Sequence, residues 1–300
     1  MKILIAYDGS GCSDQALDDL LRAGLPDDTQ ALIISVAEVH LPPPPPSSYE
    51  IFGSSNFEWI DQETEISTPS HIVEQARALA VRASEKIRLL FPGWTIYTNG
   101  RYGSPAGEII EQAEKWDADL VVVGSHGRSK LGQFILGSVA QRVVTEAHCS
   151  VRVARNVRSK KDSPVQILLG VDGSASSGAA IKATAAREWP QGSKVRLVTS
   201  IDSWGEHGAK AVDKYASARS FQKFAEDLLC ARGLEVSSVV KEEDAKHLLI
   251  EEAEAWEADS IFVGARGLGR LERLLLGSVS TAVVSRAHCT VEVVRASKTS

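Results

Sequence analysis

The sequence predicts two similar α/β domains in tandem, each a doubly wound fold built on a parallel β-sheet. Three observations support this prediction. Short apolar segments take turns along the chain with segments of helical periodicity. Each apolar segment is continuously apolar rather than a run of alternating apolar and polar residues, and the whole arrangement occurs twice. Strands that are apolar on both faces are typical of parallel sheets covered by helices on each side. Right-handed crossovers between parallel strands then give the doubly wound topology in each half.

The repeat is visible when the sequence is compared with itself at two offsets. At an offset of 164, ILIAYDGS (Ile3–Ser10) falls on ILLGVDGS (Ile167–Ser174). At an offset of 140, Ala118–Arg155 falls on Ala258–Arg295 with 18 of 38 positions identical. Because the two offsets differ by 24, the first copy carries about 24 extra residues. A duplication of one ancestral domain explains the pattern.

In the first copy, five apolar segments with no helical spacing are predicted strands: KILIAY, ALIISVAEV, TIYTN, DLVVVG and SVRVAR. Four segments with apolar residues three and four apart are predicted helices: SDQALDDLLRAGL, HIVEQARALAVRASEKIRLLF, AGEIIEQAEKW and SVAQRVVTEA. Strands and helices alternate along the chain, and the second copy repeats the order. Each domain is therefore expected to have a five-stranded parallel sheet.

The predicted domains span residues 1–157 and 165–300, joined by the polar, proline-ended segment Arg158–Pro164. The extra residues of the first domain lie at about 41–69, between its second strand and second helix. They begin with five consecutive prolines, which favour a stiff polyproline II segment, and aromatic residues follow. A lid, an arm that binds a partner, and a surface insertion that packs locally all remain open.

Composition excludes several classes of protein. The net charge of −6 argues against a general nucleic-acid-binding surface. No apolar run approaches the ~18 residues that span a bilayer, and the N-terminus does not resemble a signal peptide. The four cysteines form no C-x-x-C pair, and the adjacent His–Cys pairs at positions 148–149 and 288–289 point to opposite faces of a strand. We expect a soluble cytoplasmic protein without a metal site.

A glycine-rich pattern follows the fourth predicted strand of each copy. It reads Gly, two residues, Gly, nine residues, Gly-Ser, and it comprises Gly124, Gly127, Gly137 and Ser138 in the first copy and Gly264, Gly267, Gly277 and Ser278 in the second. Glycines let backbone N–H groups approach an anion closely. The helix that starts at Gly-Ser offers unpaired N–H groups and the positive end of its dipole. The pattern lies at the carboxyl ends of the predicted strands, which is where open parallel sheets bind ligands. It therefore predicts a phosphate cradle.

These residues carry a resemblance. The spaced glycines with Gly-Ser, the D-G-S turn after the first strand and the A-x-C-x-V ending resemble the ATP-binding subgroup of the universal stress protein family, over both copies apart from the insertion and linker. The resemblance implies strand order 3-2-1-4-5 and a bound ATP, AMP or ADP, with Mg²⁺ as an optional companion. It also implies further binding residues: Asp8 and Asp172 at the nucleoside, the backbone of Val36 and Ser200 at adenine, and Val139 and Val279 after the phosphate-binding serines.

The two copies depart from the family pattern in different ways. Where ATP-binding members commonly have arginine within the glycine loop, the second domain has Arg266 and the first has His126. Where they have a hydroxyl residue after the valine, the second domain has Ser280 and the first has Ala140. The second domain is therefore expected to bind phosphates more tightly, although the acidic turn Glu243–Asp244 lies on its nucleoside side.

Two functions of different classes follow from these observations. The first is a regulatory protein of the stress response that binds ATP or AMP and signals to an unknown protein partner. The second is a slow ATPase or a nucleotidyl transferase, against which stands the lack of an obvious general base or carboxylate pair near the loops. A scaffold protein whose nucleotide sites have decayed is a third alternative. The final strands VRVAR and VEVVR are expected to pair the two domains as an internal pseudo-dimer, and a further homodimer is left open.

Overall fold

The fold is taken from a computed structural model, which describes residues 1–38, 69–127, 136–155, 163–201, 209–267 and 276–296. The strands are β1 (Lys2–Ala6), β2 (Gln30–Ala37), β3 (Thr95–Tyr102), β4 (Leu120–Gly124), β5 (Ser150–Ala154), β6 (Gln166–Gly170), β7 (Lys194–Ser200), β8 (Glu235–Lys241), β9 (Ser260–Gly264) and β10 (Thr290–Val294). The helices are α1 (Gly11–Asp19), α2 (Pro69–Leu90), α3 (Pro105–Trp116), α4 (Ser138–Glu146), α5 (Ala175–Ala185), α6 (Ala209–Cys230), α7 (Ala245–Ala255) and α8 (Ser278–Arg286).

The ten strands of the described residues belong to one sheet in the order β3-β2-β1-β4-β5-β10-β9-β6-β7-β8. Within each half the strands are parallel, as the sequence pattern predicted, and follow the order 3-2-1-4-5 that the family resemblance implied. β3 is three residues longer than predicted because it pairs with β2 as far as Tyr102. Among the described helices, none is long and apolar enough to cross a membrane.

Apolar side chains fill both faces of the sheet. One cluster lies against α3, α4, α7 and α8 and includes residues of both domains, such as Val121, Val151, Val263 and Val291. On the opposite face each domain has a separate cluster under its first two helices. Apart from the edge strands β3 and β8, the strands are therefore largely buried on both sides, which is why their sequences lack alternation.

The two domains meet where β5 and β10 pair antiparallel, with Arg152 opposite Glu292 at the centre. Both side chains are about 1% exposed, and Arg152 Nη1 donates to Glu292 Oε2 at 3.2 Å. Arg152 Nε also donates to Asp19 Oδ2 at 2.6 Å, and Arg187 Nη2 donates to Glu292. Two cations and two anions, one of each from either domain, thus form a buried network that is neutral as a whole.

A second contact fixes the end of the linker. Arg22, 3% exposed, donates to Ser163 Oγ at 2.8 Å and to Asp259 Oδ2 at 2.6 Å. The rest of the predicted linker and the proline-rich insertion lie outside the described residues, except that α2 begins at Pro69, the last predicted insertion residue. The sheet therefore joins the domains through backbone pairing, and Arg22 ties the linker's end to both.

Candidate functional site

The D-G-S turn has the same construction in both domains. Oδ1 of Asp8 accepts a hydrogen bond from Ser10 N at 2.9 Å, and Oδ1 of Asp172 accepts one from Ser174 N at 2.9 Å. The intervening glycines have φ of +77° and +78°, which side chains disfavour. The serines then cap α1 and α5. The turn thus aims each aspartate at the carboxyl edge of the sheet.

The two glycines of each loop have different neighbours. A β-carbon on Gly264 would lie 2.6 Å from the Ser176 backbone, and one on Gly124 would lie 2.9 Å from the Cys12 backbone. A β-carbon on Gly267 would instead lie 2.8 Å from Asp172 Oδ2, and the same comparison gives 3.1 Å between Gly127 and the equivalent Asp8. The first glycine lets the strand end pack against a helix, whereas the second leaves room beside a carboxylate.

The third glycine connects the loop to the following helix. Gly137 N donates to Ser125 O at 2.8 Å, and Gly277 N donates to Ala265 O at 2.8 Å, which fixes each helix start to its strand end. Ser138 and Ser278 are the first helical residues, and they are exposed. Glycine rather than serine is the N-cap, and it offers no side-chain cap bond. The first-turn N–H groups therefore face the cradle without intrahelical partners.

In the second domain these elements enclose a cavity of about 650 Å³. The residues that line it are Gly170, Val171, Asp172, Ser177, Val198, Ser200, Ala245, Leu248, Leu249, Val263, Gly264, Arg266, Gly267, Leu276, Gly277, Ser278, Val279 and Ser280. One end is polar, with Arg266 and the helix start, and the other is apolar, with residues of β7 and α7. All of the sequence-predicted residues of this domain are brought together here.

Sequence reasoning missed the apolar end of the cavity. Leu248 and Leu249 are buried residues of α7, and Val198 belongs to β7. In sequence they look like ordinary core residues of a helix or a strand, so no sequence signal distinguishes them from the core. Only the fold shows that they also form the wall of a cavity.

The hydroxyl residue after the valine has a partner within the protein. Ser280 is 4% exposed, and its hydroxyl donates to Gly264 O at 2.6 Å. Ser280 also lines the cavity, and its contact with a phosphate stays a prediction. Ala140 is buried at the equivalent position of the first domain. The advantage attributed to the second domain therefore rests on Arg266 and Ser280.

The histidine in the first-domain loop carries little positive charge near neutral pH. His126 Nδ1 lies 3.1 Å from Ser125 Oγ, and its Nε2 is buried without a partner among the described residues. Burial, and secondarily the charge of Arg155, lower the pKa of His126 below its usual value. At the equivalent position of the second domain, Arg266 is exposed.

The nucleoside side of the second domain is also defined. Ser200 ends β7, and its hydroxyl donates to Glu243 O. Asp244 is exposed and caps α7, and its pKa is lowered, chiefly by the hydrogen bond that its carboxylate accepts from Lys246 N at 2.8 Å. Asp244 thus has a structural role at the surface. In the first domain, Val36 is half-buried next to the end of β2.

The remaining predicted residues have two kinds of placement. Val139 and Val279 are half-buried second residues of α4 and α8, which pack on the core. The basic residues within the two glycine patterns, namely Arg128, Lys130, Arg270 and Arg273, lie outside the described residues. The described site is therefore a backbone cradle with one flanking aspartate in each domain, and with one arginine in the second.

Fold and site together define the class: a protein of two doubly wound α/β domains, whose glycine loops and helix N-termini meet at the carboxyl edge of each half-sheet. The sequence model of the universal stress protein family matches residues 1–155 and 166–295. The chain belongs to the universal stress protein family.

Individual relatives agree with this assignment. A universal stress protein of Mycobacterium bovis is 28% identical over 98% of the chain and 94% of its own length. One of Methanocaldococcus jannaschii is 31% identical over 53% of the chain and 84% of its own length. The crystal structure of a universal stress protein from Archaeoglobus fulgidus, 20% identical, overlays 98% of both chains with a TM-score of 0.64, which shows the shared fold.

Proposed function

We propose that the protein is a regulatory adenine-nucleotide-binding protein of the stress response, which binds ATP, ADP or AMP with little turnover. The observation that carries the proposal is the cavity at the carboxyl edge of the second domain. Its volume lies within the ~300–1,000 Å³ of small-molecule sites, and it has one polar and one apolar end. An adenine nucleotide has a similar division, because its phosphates are anionic and its base has flat faces that stack on apolar side chains.

Each part of the cavity has a role in this proposal. The N–H groups at the start of α8 and of Gly267 would receive the phosphates, with Ser278 and Arg266 beside them. Asp172 has one oxygen in the turn, and its other oxygen is available to accept a hydrogen bond from a ribose hydroxyl. Leu248 and Val198 would contact the base, and the backbone at Ser200 would meet its edge. Mg²⁺, where present, would sit with the phosphates.

Little turnover is expected because of what lines the cavity. Asp172 is the one acidic residue among the described residues of the lining, and no histidine, cysteine or lysine accompanies it. A general base and a second carboxylate are the usual means of activating water for hydrolysis. With Mg-ATP we expect phosphate release far below the ~1–10³ s⁻¹ of ordinary enzymes.

The experiment uses two matched variants, Gly127→Val and Gly267→Val. Native mass spectrometry of gently purified protein tests for a bound nucleotide, and titration calorimetry with ATP, ADP and AMP, with and without Mg²⁺, measures affinity. Gly267→Val should remove the tight component, because any β-carbon there lies against Asp172, and Gly127→Val should remove the weaker one. If the wild-type protein binds none of these nucleotides, the proposed function is wrong.

The regulatory part of the proposal rests on the combination of binding with little turnover. A protein that binds a nucleotide without consuming it can report the nucleotide's concentration to a partner. We place this activity in the cytoplasm, where ATP and AMP vary with stress. A nucleotide-dependent change in the proteins captured by the full chain, lost in Gly267→Val, is the result expected.

A further inference from the structure

Arg155 follows β5 in the first domain, and its side chain crosses to the second domain. It is 6% exposed, its Nη1 donates to Ala287 O at 2.6 Å, and its Nη2 donates to Val284 O at 2.6 Å. These two carbonyls lie at the C-terminal end of α8. The guanidinium of one domain therefore caps a helix of the other.

Arg295, the equivalent residue after β10, makes the reciprocal contact. Its Nη2 donates to Val144 O and Thr145 O, both at 3.0 Å, in the last turn of α4. The two arginines fall on each other in the 140-residue repeat. The exchange of caps thus follows the pseudo-twofold relation of the domains.

The capped helices are those whose N-termini form the phosphate cradles. Each has nine residues, or about 13 Å of length, with Gly-Ser at its N-terminal end and the arginine of the opposite domain at its C-terminal end. Neither ends in a glycine: the C-caps are Ala147 and Ala287, both in extended conformation. α4 also has no basic residue of its own in the last turn. The arginines thus supply bonds that a glycine motif would otherwise provide.

We propose that Arg155 and Arg295 are positioning residues, each of which holds the phosphate-binding helix of the opposite domain in place. Arg155 of the first domain would then support the second site, and Arg295 of the second domain the first site. The inference rests on the proposed function. It makes each site dependent on the pairing of the domains.

The physical reason is the stiffness of a short helix. The start of α8 is held to the end of β9 by the bonds from Gly277 N to Ala265 O and from Ser280 Oγ to Gly264 O, and the orientation of the helix also depends on how its other end is held. Arg155 fixes that end with two charge-assisted hydrogen bonds. Without it, buried carbonyls lose their partners and the helix shifts or frays. The N–H groups that face the phosphate then no longer converge on one point.

The experiment measures nucleotide affinity in variants that keep one site. Arg155→Met and Arg295→Met are each combined with Gly127→Val, which leaves the second site, and with Gly267→Val, which leaves the first. We expect Arg155→Met to weaken ATP binding about threefold to tenfold at the second site and less than twofold at the first. Arg295→Met should give the reverse pattern. Equal losses at both sites, a loss in the variant's own domain only, or no loss would overturn the proposal.

The arginines also interact electrostatically with loop residues of their own domains. The charge of Arg155 contributes to the lowered pKa of His126, and the charge of Arg266 contributes to the lowered pKa of Arg295. Measurements at pH 7.5 and about 0.3 M salt reduce these electrostatic effects. Arg155→Lys separates charge from geometry, because an ammonium does not present the two-pronged donor of a guanidinium. We expect the lysine variant to fold even if the methionine variant does not, and still to weaken the second site more than the first.

A measurement without nucleotide tests the positioning by itself. In Arg155→Met or Arg155→Lys, amide hydrogen exchange should become faster in α8 and remain unchanged in α4; the arginine variants at position 295 should do the opposite. Unchanged exchange in the opposite helix would refute the positioning role, whatever the binding data show. If exchange follows the crossed pattern but no variant or wild-type protein binds a nucleotide, the proposed function and the binding part of this inference are both wrong.

Discussion

Glu292 offers a direct test of the buried network between the domains. In Glu292→Ala, Arg187 and Arg152 lose their shared carboxylate, while Arg152 keeps its two bonds to Asp19. Removing one partner of a fully buried ion pair leaves an uncompensated charge, which costs about 3–5 kcal/mol. Glu292 and Arg152 are about 1% exposed and Arg187 is 6% exposed, so the remaining charge lies away from bulk water. The free energy of unfolding should fall by this amount, out of the ~5–15 kcal/mol typical of a domain.

The assay is urea unfolding followed by circular dichroism, with Glu235→Ala as the matched control. Glu235 forms an ion pair with Lys194 at 3.1 Å, and both side chains are more than half exposed. Exposed pairs contribute about 0–1 kcal/mol, so the control should unfold close to the wild type. If Glu292→Ala is no less stable than Glu235→Ala, the network does not hold the domains together in the way described.

Three other predictions concern the site. Gly264→Ala should lower the unfolding midpoint, because the new methyl group meets backbone atoms. Gly267→Ala should leave the midpoint nearly unchanged and weaken ATP binding. The opposite result would contradict the packing role of Gly264 and the binding role of Gly267. As the pH falls through the lowered pKa of His126, the imidazole gains its proton, so affinity measured in Gly267→Val (first site) should rise relative to that in Gly127→Val (second site). A constant ratio, or the same rise after His126→Asn, would exclude the histidine. Asp244→Ala should cost about 0.5–2 kcal/mol of stability through loss of a helix cap, with little effect on nucleotide affinity; a larger effect on affinity than on stability would show that the aspartate acts at the site.

The fold was predictable because its signals are local. The apolar strands, the helical spacing and the D-G-S turn each act within a few residues, and the repeat doubles every signal. The domain interface was predictable only in outline. Nothing in VRVAR and VEVVR indicates that Arg152 and Glu292 are partners, and only the pairing of β5 with β10 shows that they are buried against each other.

The site was predicted in part for a similar reason. The sequence pattern identifies the glycines and serines because their spacing reflects backbone geometry. It does not give the direction in which a side chain points, so the bond from the Ser280 hydroxyl to Gly264 O was not predicted. It also does not show contacts between distant segments. The repeated arginine at positions 155 and 295 was a usable signal, since the same residue ends both final strands.

The antiparallel junction has a consequence for synthesis on the ribosome. β5 ends at residue 154, but its neighbour β10 is completed only at residue 294, about 140 residues later. At ~5–20 residues per second, a nascent first domain would hold an unpaired strand edge for roughly 7–28 s. Such an edge invites association with other chains, and a charge at its centre opposes this. Arg152 lies at the centre of this edge, where Asp19 of the first domain is its partner until Glu292 of the second domain has been made.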